Sequence, residues 1–271
     1  MILPGSYANG FAPRDGHPLY PELWRGCVGA WAPCLGPTGL TLRDWSGFSR
    51  HGTLTNMDAA GDWVPTQGRY ALDLDNTNDE ISTPFAFPGT QYCVSFWENC
   101  TSSTAVQARI EIPVVSSSRS FAIVRITSGS YTPISCGLWN DIIAFRAASA
   151  PTIASSVGIW RHWIVQGSDI TSNTPANHEI WCDGISYATS AASTFAAAAK
   201  TVTRIGLNSQ NQAANALVDD LRVYTRKLSA QEIRLLASRR GIAYEMAPRR
   251  RTSLQVAAFN RRRRLLVGAG S

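Results

Sequence analysis

The stretch Leu217–Leu236, LVDDLRVYTRKLSAQEIRLL, decides the fold. Together with Ala216, its first half to Tyr224 reads as a β-strand. Leu217, Leu221 and Val223 share one face by a period of two, and Arg222 and Tyr224 fall on the other. Asp219 lies on the face of Leu221 and Val223, so its carboxylate is expected to point inward. There it needs a cation, a metal or several donors around it. The second half changes period. Ser229 followed three residues later by Glu232 is a capping box, which starts a short helix with Ile233, Leu235 and Leu236 as apolar positions.

Upstream of this stretch the chain is a series of short strands. Gly26–Ala32 is the first and Tyr70–Leu74 another, while Tyr92–Glu98 alternates cleanly. Arg109–Val115 with Ser120–Thr127, and Cys136–Trp139 with Ile142–Arg146, read as hairpins. Trp160–Gln166, then Glu179–Cys182 with Asp183-Gly184 as its turn, follow. Almost no helix is expected before residue 229. This spacing predicts an all-β, two-sheet antiparallel sandwich with a short C-terminal helix. Trp31, Trp63, Trp97 and Trp163 sit in strand patterns and are expected to fill its core.

The chain's 271 residues, 44% hydrophobic and only 16% charged, suffice for one large β domain with appendages. No apolar run approaches the length of a membrane span. The first residues, MILPGSYANGFAPRDG, have no basic n-region and no long apolar core, so no secretory signal is read. The six cysteines are therefore expected to be free thiols in a reducing compartment. Charge is unevenly placed. Residues 225–264 hold eleven Arg and one Lys against Glu232 and Glu245, a net +10, and with +6 overall the remainder carries −4.

Three parts follow: an arm over residues 1–23, rich in Pro, Gly and aromatics; a sandwich over 24–240; and a basic arm over 241–271. The first arm either packs back on the sandwich or docks on a neighbouring subunit. In the last arm, Arg249, Arg250, Arg251, Phe259, Arg261, Arg262, Arg263 and Arg264 are the candidate docking residues. The arginines lack interleaved aromatics, so any binding of nucleic acid through them would be non-specific. Docking on an acidic partner surface, including another copy of the chain, is the favoured reading.

Five segments in order resemble the laminin-G-like jelly rolls of the concanavalin-A-like lectin/glucanase superfamily. They are Arg43-Asp44-Trp45-Ser46-Gly47 with His51-Gly52-Thr53-Leu54; Tyr70–Asp75 with Asn78-Asp79; Tyr92–Trp97; Gly158–Trp163 with Ile180–Gly184; and Val218–Ile233. The resemblance covers roughly residues 24 to 236 and implies a jelly roll. It implies little about activity, because the fold hosts lectins, enzymes and structural modules.

By the same resemblance, some members hold one Ca²⁺ between the D-x-S-G loop and the Asp of the late strand. The matching positions are Asp44 and Asp219, with the backbone carbonyl of His51 as a further oxygen donor. The alternative is that Asp44 caps its own loop and Asp219 pairs with an Arg such as Arg43. Arg50, standing where the family pattern often has Asn, adds a positive charge beside the site. Glucanase chemistry needs two carboxylates at a fixed separation, and none of Glu22, Glu80, Glu98, Glu111, Glu179, Glu232 or Glu245 begins the Glu-x-Asp-x-x-Glu strand motif. No catalysis is expected.

The expectation is a non-catalytic structural or adhesion protein. The chain is similar in type to bacteriophage virion components, made in the host cytoplasm and docked through its arms on other virion proteins or copies of itself. Host or surface glycans are further partners, and a membrane is not. The alternative is a monomeric, calcium-dependent carbohydrate-binding module.

Overall fold

The computed structural model describes residues 18–85, 91–101, 107–113, 120–125, 134–139, 145–147, 157–168, 178–187, 189–190, 203–206 and 213–246. Among these the strands are β1 (Cys27–Trp31), β2 (Thr41–Leu42), β3 (Gly52–Thr55), β4 (Trp63–Thr66), β5 (Arg69–Asp75), β6 (Glu80–Thr83), β7 (Tyr92–Cys100), β8 (Gln107–Pro113) and β9 (Ser120–Arg125). They continue with β10 (Ile134–Trp139), β11 (Phe145–Ala147), β12 (Trp160–Gly167), β13 (His178–Cys182), β14 (Ile185–Tyr187), β15 (Thr189–Ser190), β16 (Thr203–Ile205) and β17 (Asn215–Tyr224). One helix, α1 (Ala230–Ser238), follows, and 3-10 turns lie at Pro21–Trp24, Pro33–Leu35 and Ile242–Tyr244.

Two antiparallel sheets result. The first runs β14-β13-β12-β7-β17-β5-β4, with β1 pairing on β17. The second runs β15-β11-β10-β9-β8-β16-β6-β3-β2. Both expected hairpins form, β8 with β9 and β10 with β11. The β13–β14 turn puts Asp183 at φ 50° and Gly184 at φ 80°, the two positive φ values that an Asp-Gly hairpin turn supplies.

The core between the sheets follows from alternation. On the first sheet Tyr92, Val94, Phe96, Trp163, Val165, Leu72 and Leu74 point inward. On the second, Leu54, Ile81, Ile205, Ile110 and Ile123 form one continuous cross-strand row. Each such aliphatic side chain contributes roughly 1.5–3 kcal/mol of burial.

A second apolar cluster lies on the opposite face of the first sheet. Cys93, Ile164 and Tyr224 of the sheet pack there against Leu23, Trp24, Leu228, Ile233, Leu236, Ile242 and Tyr244. The helix and two 3-10 turns therefore roof part of this outer face. The α1 capping box is present: Ser229 Oγ accepts from the Glu232 N–H, and the Ser229 N–H donates to Glu232 Oε2. The Trp24 indole donates to the Ala243 carbonyl at 2.9 Å, and the Leu19 N–H to the Glu245 carbonyl at 2.7 Å. Packed structure thus runs from Pro18, bridged to Met246, across both boundaries placed at 24 and 240. The residues of the first arm from Pro18 to Leu23 fold back on the sandwich. Arg249–Arg251, Phe259 and Arg261–Arg264 lie outside the described residues.

One expectation for β17 is corrected. Ala216 and Val218 face the inter-sheet core, not Leu217, whereas Leu221 and Val223 do so as expected. The pairing with β7 shifts register between Asp219 and Arg222, because Asp219 opposes Trp97 and Arg222 opposes Ser95. This is a β-bulge: one extra residue on β17 exchanges its faces midway. Asp220 takes φ 45°, a left-handed conformation that a short polar side chain tolerates.

Candidate functional site

The loop between β2 and β3 is organised by Asp44. Its Oδ1 accepts from the Ala30 N–H at 3.0 Å and the Ser46 N–H at 2.8 Å. Its Oδ2 accepts from Ser46 Oγ at 2.8 Å and the Arg50 N–H at 2.9 Å. The Asp44 N–H donates to His51 Nδ1 at 3.1 Å, so His51 enters through its ring. Arg50 reaches back to the Val28 carbonyl at 2.7 Å and lies over the Phe48 and Phe85 rings. Arg43 stacks on Trp45, with its guanidinium carbon 4.3 Å from the ring centroid.

The bulge on β17 carries a buried charge network. Asp219 Oδ1 accepts from the Cys34 N–H at 2.9 Å and the Asp220 N–H at 2.7 Å. Its Oδ2 faces Arg240 Nη1 at 3.5 Å without a hydrogen bond. Asp219 is thus near an arginine, and that arginine is Arg240. Burial first, then the adjacent Asp220 charge, pushes the Asp219 carboxyl up to about 7. Burial also pushes Arg240 down, so desolvation outweighs the pair's attraction on both sides.

Asp220 accepts from Arg222 Nε at 2.8 Å and from the Gly241 N–H at 3.1 Å. Arg222, fully buried, lies between the rings of Trp24 and Tyr244, at 4.7 and 4.4 Å. Gly241 has φ 69°, and a Cβ there would stand 2.7 Å from Arg69 Nη1 and 3.1 Å from Cys34 Sγ. Only glycine fits this junction without displacing its neighbours.

As placed, the Asp44 and Asp219 side chains do not offer a calcium ion free carboxylate oxygens. Ca²⁺ asks for roughly six to eight oxygens. Both Asp44 oxygens already accept from N–H and O–H donors, His51 offers a ring nitrogen to its own loop, and a guanidinium stands beside Asp219 Oδ2. Among the described residues, no group of three or more His, Cys, Asp or Glu side chains is arranged to hold a metal. Cys27, Cys34, Cys93 and Cys182 are free and buried.

Beyond the roof, the outer face of the first sheet continues as a polar and aromatic surface. Asn99 stands opposite Trp160 on one side and Leu217 on the other, with Asp73 next in the row. Trp97, on the same face, stands opposite His162, their rings 5.1 Å apart. Arg240 closes the roofed side, 3.9 Å from the Trp160 ring centroid. Trp97 was expected in the core, as were Trp31, Trp63 and Trp163, and those three are there. Trp97 is buried but on the opposite face. Alternation from Tyr92 through Val94 to Phe96 already directs it outward.

Residues 75–234 match the sequence profile of the concanavalin A-like lectin/glucanases superfamily. A search of the curated proteins found no match. Among solved structures, domain 4 of AbnA, a GH43 extracellular arabinanase from Geobacillus stearothermophilus solved with arabinotriose, is similar with a TM-score of 0.59 and 16% identity. That match covers 78% of this chain and 98% of the domain. Trypanosoma rangeli sialidase with sialic acid is similar at a TM-score of 0.54 and 13% identity, over 78% of this chain and 32% of the sialidase. A structure of botulinum neurotoxin type C, whose cell entry depends on two ganglioside molecules, is similar at a TM-score of 0.56 and 11% identity, over 80% of this chain and 52% of the toxin chain. This chain therefore spans about a third of the sialidase and half of the toxin chain. The two-sheet jelly roll and a profile match over more than half of the sequence agree: the chain belongs to the concanavalin A-like lectin/glucanase superfamily.

Proposed function

We propose that this chain is a non-catalytic carbohydrate-binding module. The observation that carries the reading is the near-complete coverage, 98%, of an arabinanase domain solved with arabinotriose. The likenesses to the sialidase, solved with sialic acid, and to the ganglioside-dependent neurotoxin point the same way. The reading takes precedence over a virion subunit because the similar structures involve glycans.

The absence of catalysis in this proposal is supported by how the acids are used. Asp44 ties its loop, Asp220 holds Arg222 and Gly241, and Asp183 takes Arg161 and the His162 N–H. Glu179 is engaged by Lys227, Gln166 and Trp181, and Glu232 by Arg226 and Ser229. These carboxylates serve architecture, and none of them is a free partner for a glycosidic oxygen. The proposal needs no calcium, because the Asp44 and Asp219 oxygens are already engaged by donors or faced by a guanidinium.

A glycan array probed with the full chain, with and without EDTA, tests the reading. Saturable binding to an oligosaccharide, unchanged by EDTA and without release of sugar, is expected. Binding abolished by EDTA would favour the calcium-dependent module instead. An array without a signal would remove the carbohydrate reading.

A further inference from the structure

We infer that the cleft between the Pro21–Trp24 turn and the first half of α1 is a binding site for a short neutral oligosaccharide, gripped at its lips by Glu22, Arg25 and Gln231; this rests on the carbohydrate-binding reading above. The cleft has a volume of about 660 Å³, within the roughly 300–1,000 Å³ of small-molecule sites. Its width is fixed by one guanidinium. Arg226 donates from Nε to the Arg25 carbonyl at 2.8 Å and from Nη2 to the Glu22 carbonyl at 3.3 Å. The same group donates from Nη1 to Glu232 Oε2 at 2.9 Å and from Nη2 to Glu232 Oε1 at 2.5 Å. The turn and the helix are thus tied to each other across the cleft, and the capping box ties Glu232 in turn to Ser229. Walls held this way before a ligand arrives do not have to be ordered by its binding.

The lips are open to solvent. Glu22 and Gln231 are exposed, and the Arg25 side chain is 64% exposed, 3.9 Å from Glu232. A carboxylate accepts, a guanidinium donates and a carboxamide does both, so a ligand that meets all three must donate and accept within a small span. Sugar hydroxyls do so. Leu228 and the half-buried Leu235 add an apolar lining for the C–H face of a ring. Charge selects further. Arg25, Arg226 and Lys227 are balanced by Glu22, Glu232 and Glu179, the last of which holds Lys227. An anionic ligand gains from Arg25 what it loses to Glu22, and a cationic one the reverse. A neutral sugar is therefore favoured over a sialylated or an amino sugar.

The test begins with the neutral oligosaccharide that binds best on an array carrying arabino-oligosaccharides and sialylated ganglioside oligosaccharides. It is titrated into the full chain and into the Arg25→Ala and Gln231→Ala variants, at low and at high salt, with the Leu235 methyl signals followed by NMR. Both substitutions fall on exposed side chains, so the variants are expected to fold. The Leu235 signals are expected to shift, and each variant to bind about three- to tenfold more weakly, the loss of one hydrogen bond. Affinity for the neutral sugar is expected to be the same at both salt concentrations. Wild-type affinity in both variants, with unmoved Leu235 signals, overturns the site and leaves the carbohydrate reading standing. A sialylated oligosaccharide bound more tightly than every neutral one overturns the assignment of a neutral ligand. A wild-type chain that binds no glycan overturns both the site and the carbohydrate reading.

Discussion

Replacing Asp44 separates a loop-organising carboxylate from a metal ligand. Its two oxygens accept four hydrogen bonds, three from backbone N–H groups of Ala30, Ser46 and Arg50 and one from Ser46 Oγ. Asp44 and Ser46 are both buried. Asp44→Ala leaves these donors facing a void. Hydrogen bonds to a charged acceptor are each worth about 1.5–3 kcal/mol, but the Arg50 side of the loop is partly open and water recovers some of the loss. A net cost of about 3–5 kcal/mol follows, a large share of the roughly 5–15 kcal/mol that holds a domain folded.

Asp44→Asn is gentler. Its carbonyl oxygen serves Ala30 and Ser46, its amide can donate to Ser46 Oγ, and only the Arg50 N–H meets another donor. About 1–2 kcal/mol is expected. Urea unfolding of the three proteins, each with EDTA and with millimolar calcium, gives both numbers. The reasoning is refuted if Asp44→Ala costs under about 1 kcal/mol. It is equally refuted if calcium stabilises the wild type alone. A ligand at a hundred times its Kd would add about 2.7 kcal/mol, an effect that such curves resolve.

Three further outcomes are expected. Tyr244→Ala removes an aromatic wall from Arg222 and opens the outer cluster, so it should cost about 3–5 kcal/mol in chemical unfolding, as large-to-small core changes do. Ser229→Ala breaks the capping box and should cost about 1 kcal/mol, read as a lower urea midpoint with an unchanged slope. His162 is held down to about 3 by burial and then by the Arg222 charge. Its folded pKa lies below the unfolded value near 6.5, so its contribution is present above that value and is lost as pH falls towards 3. Its imidazole should therefore remain neutral by ¹⁵N NMR at pH 5, and a protonated ring there in the folded protein would contradict the burial argument.

Much of the fold was legible because it rests on local rules. Alternation located the long strands, Asp183-Gly184 marked a hairpin turn, and Ser229 with Glu232 located the helix start. What stayed hidden depends on contacts between residues distant in the chain. Nothing local to Val218-Asp219-Asp220-Leu221 announces a bulge, yet the extra residue moves Leu217 off the core face. Arg240 stands beside Asp219 because α1 returns across the outer face, whereas Arg43, nearer to Asp44 in sequence, finds Trp45. The roof was hidden for a similar reason. Ile242 and Tyr244 are separated from Trp24 by most of the chain, so a boundary at residue 240 looked natural. Trp97 is a different case, because the alternation of β7 was in view and its outward direction could have been read from Tyr92, Val94 and Phe96.

The most direct test of the account is a calorimetric titration of the full chain, in calcium-free buffer, with the oligosaccharide selected on the array. It predicts saturable one-to-one binding with a Kd in the micromolar-to-millimolar range, roughly −8 to −4 kcal/mol, and the sugar recovered uncleaved. Cleavage of the sugar, or heats no larger than dilution for every oligosaccharide tried, would contradict it.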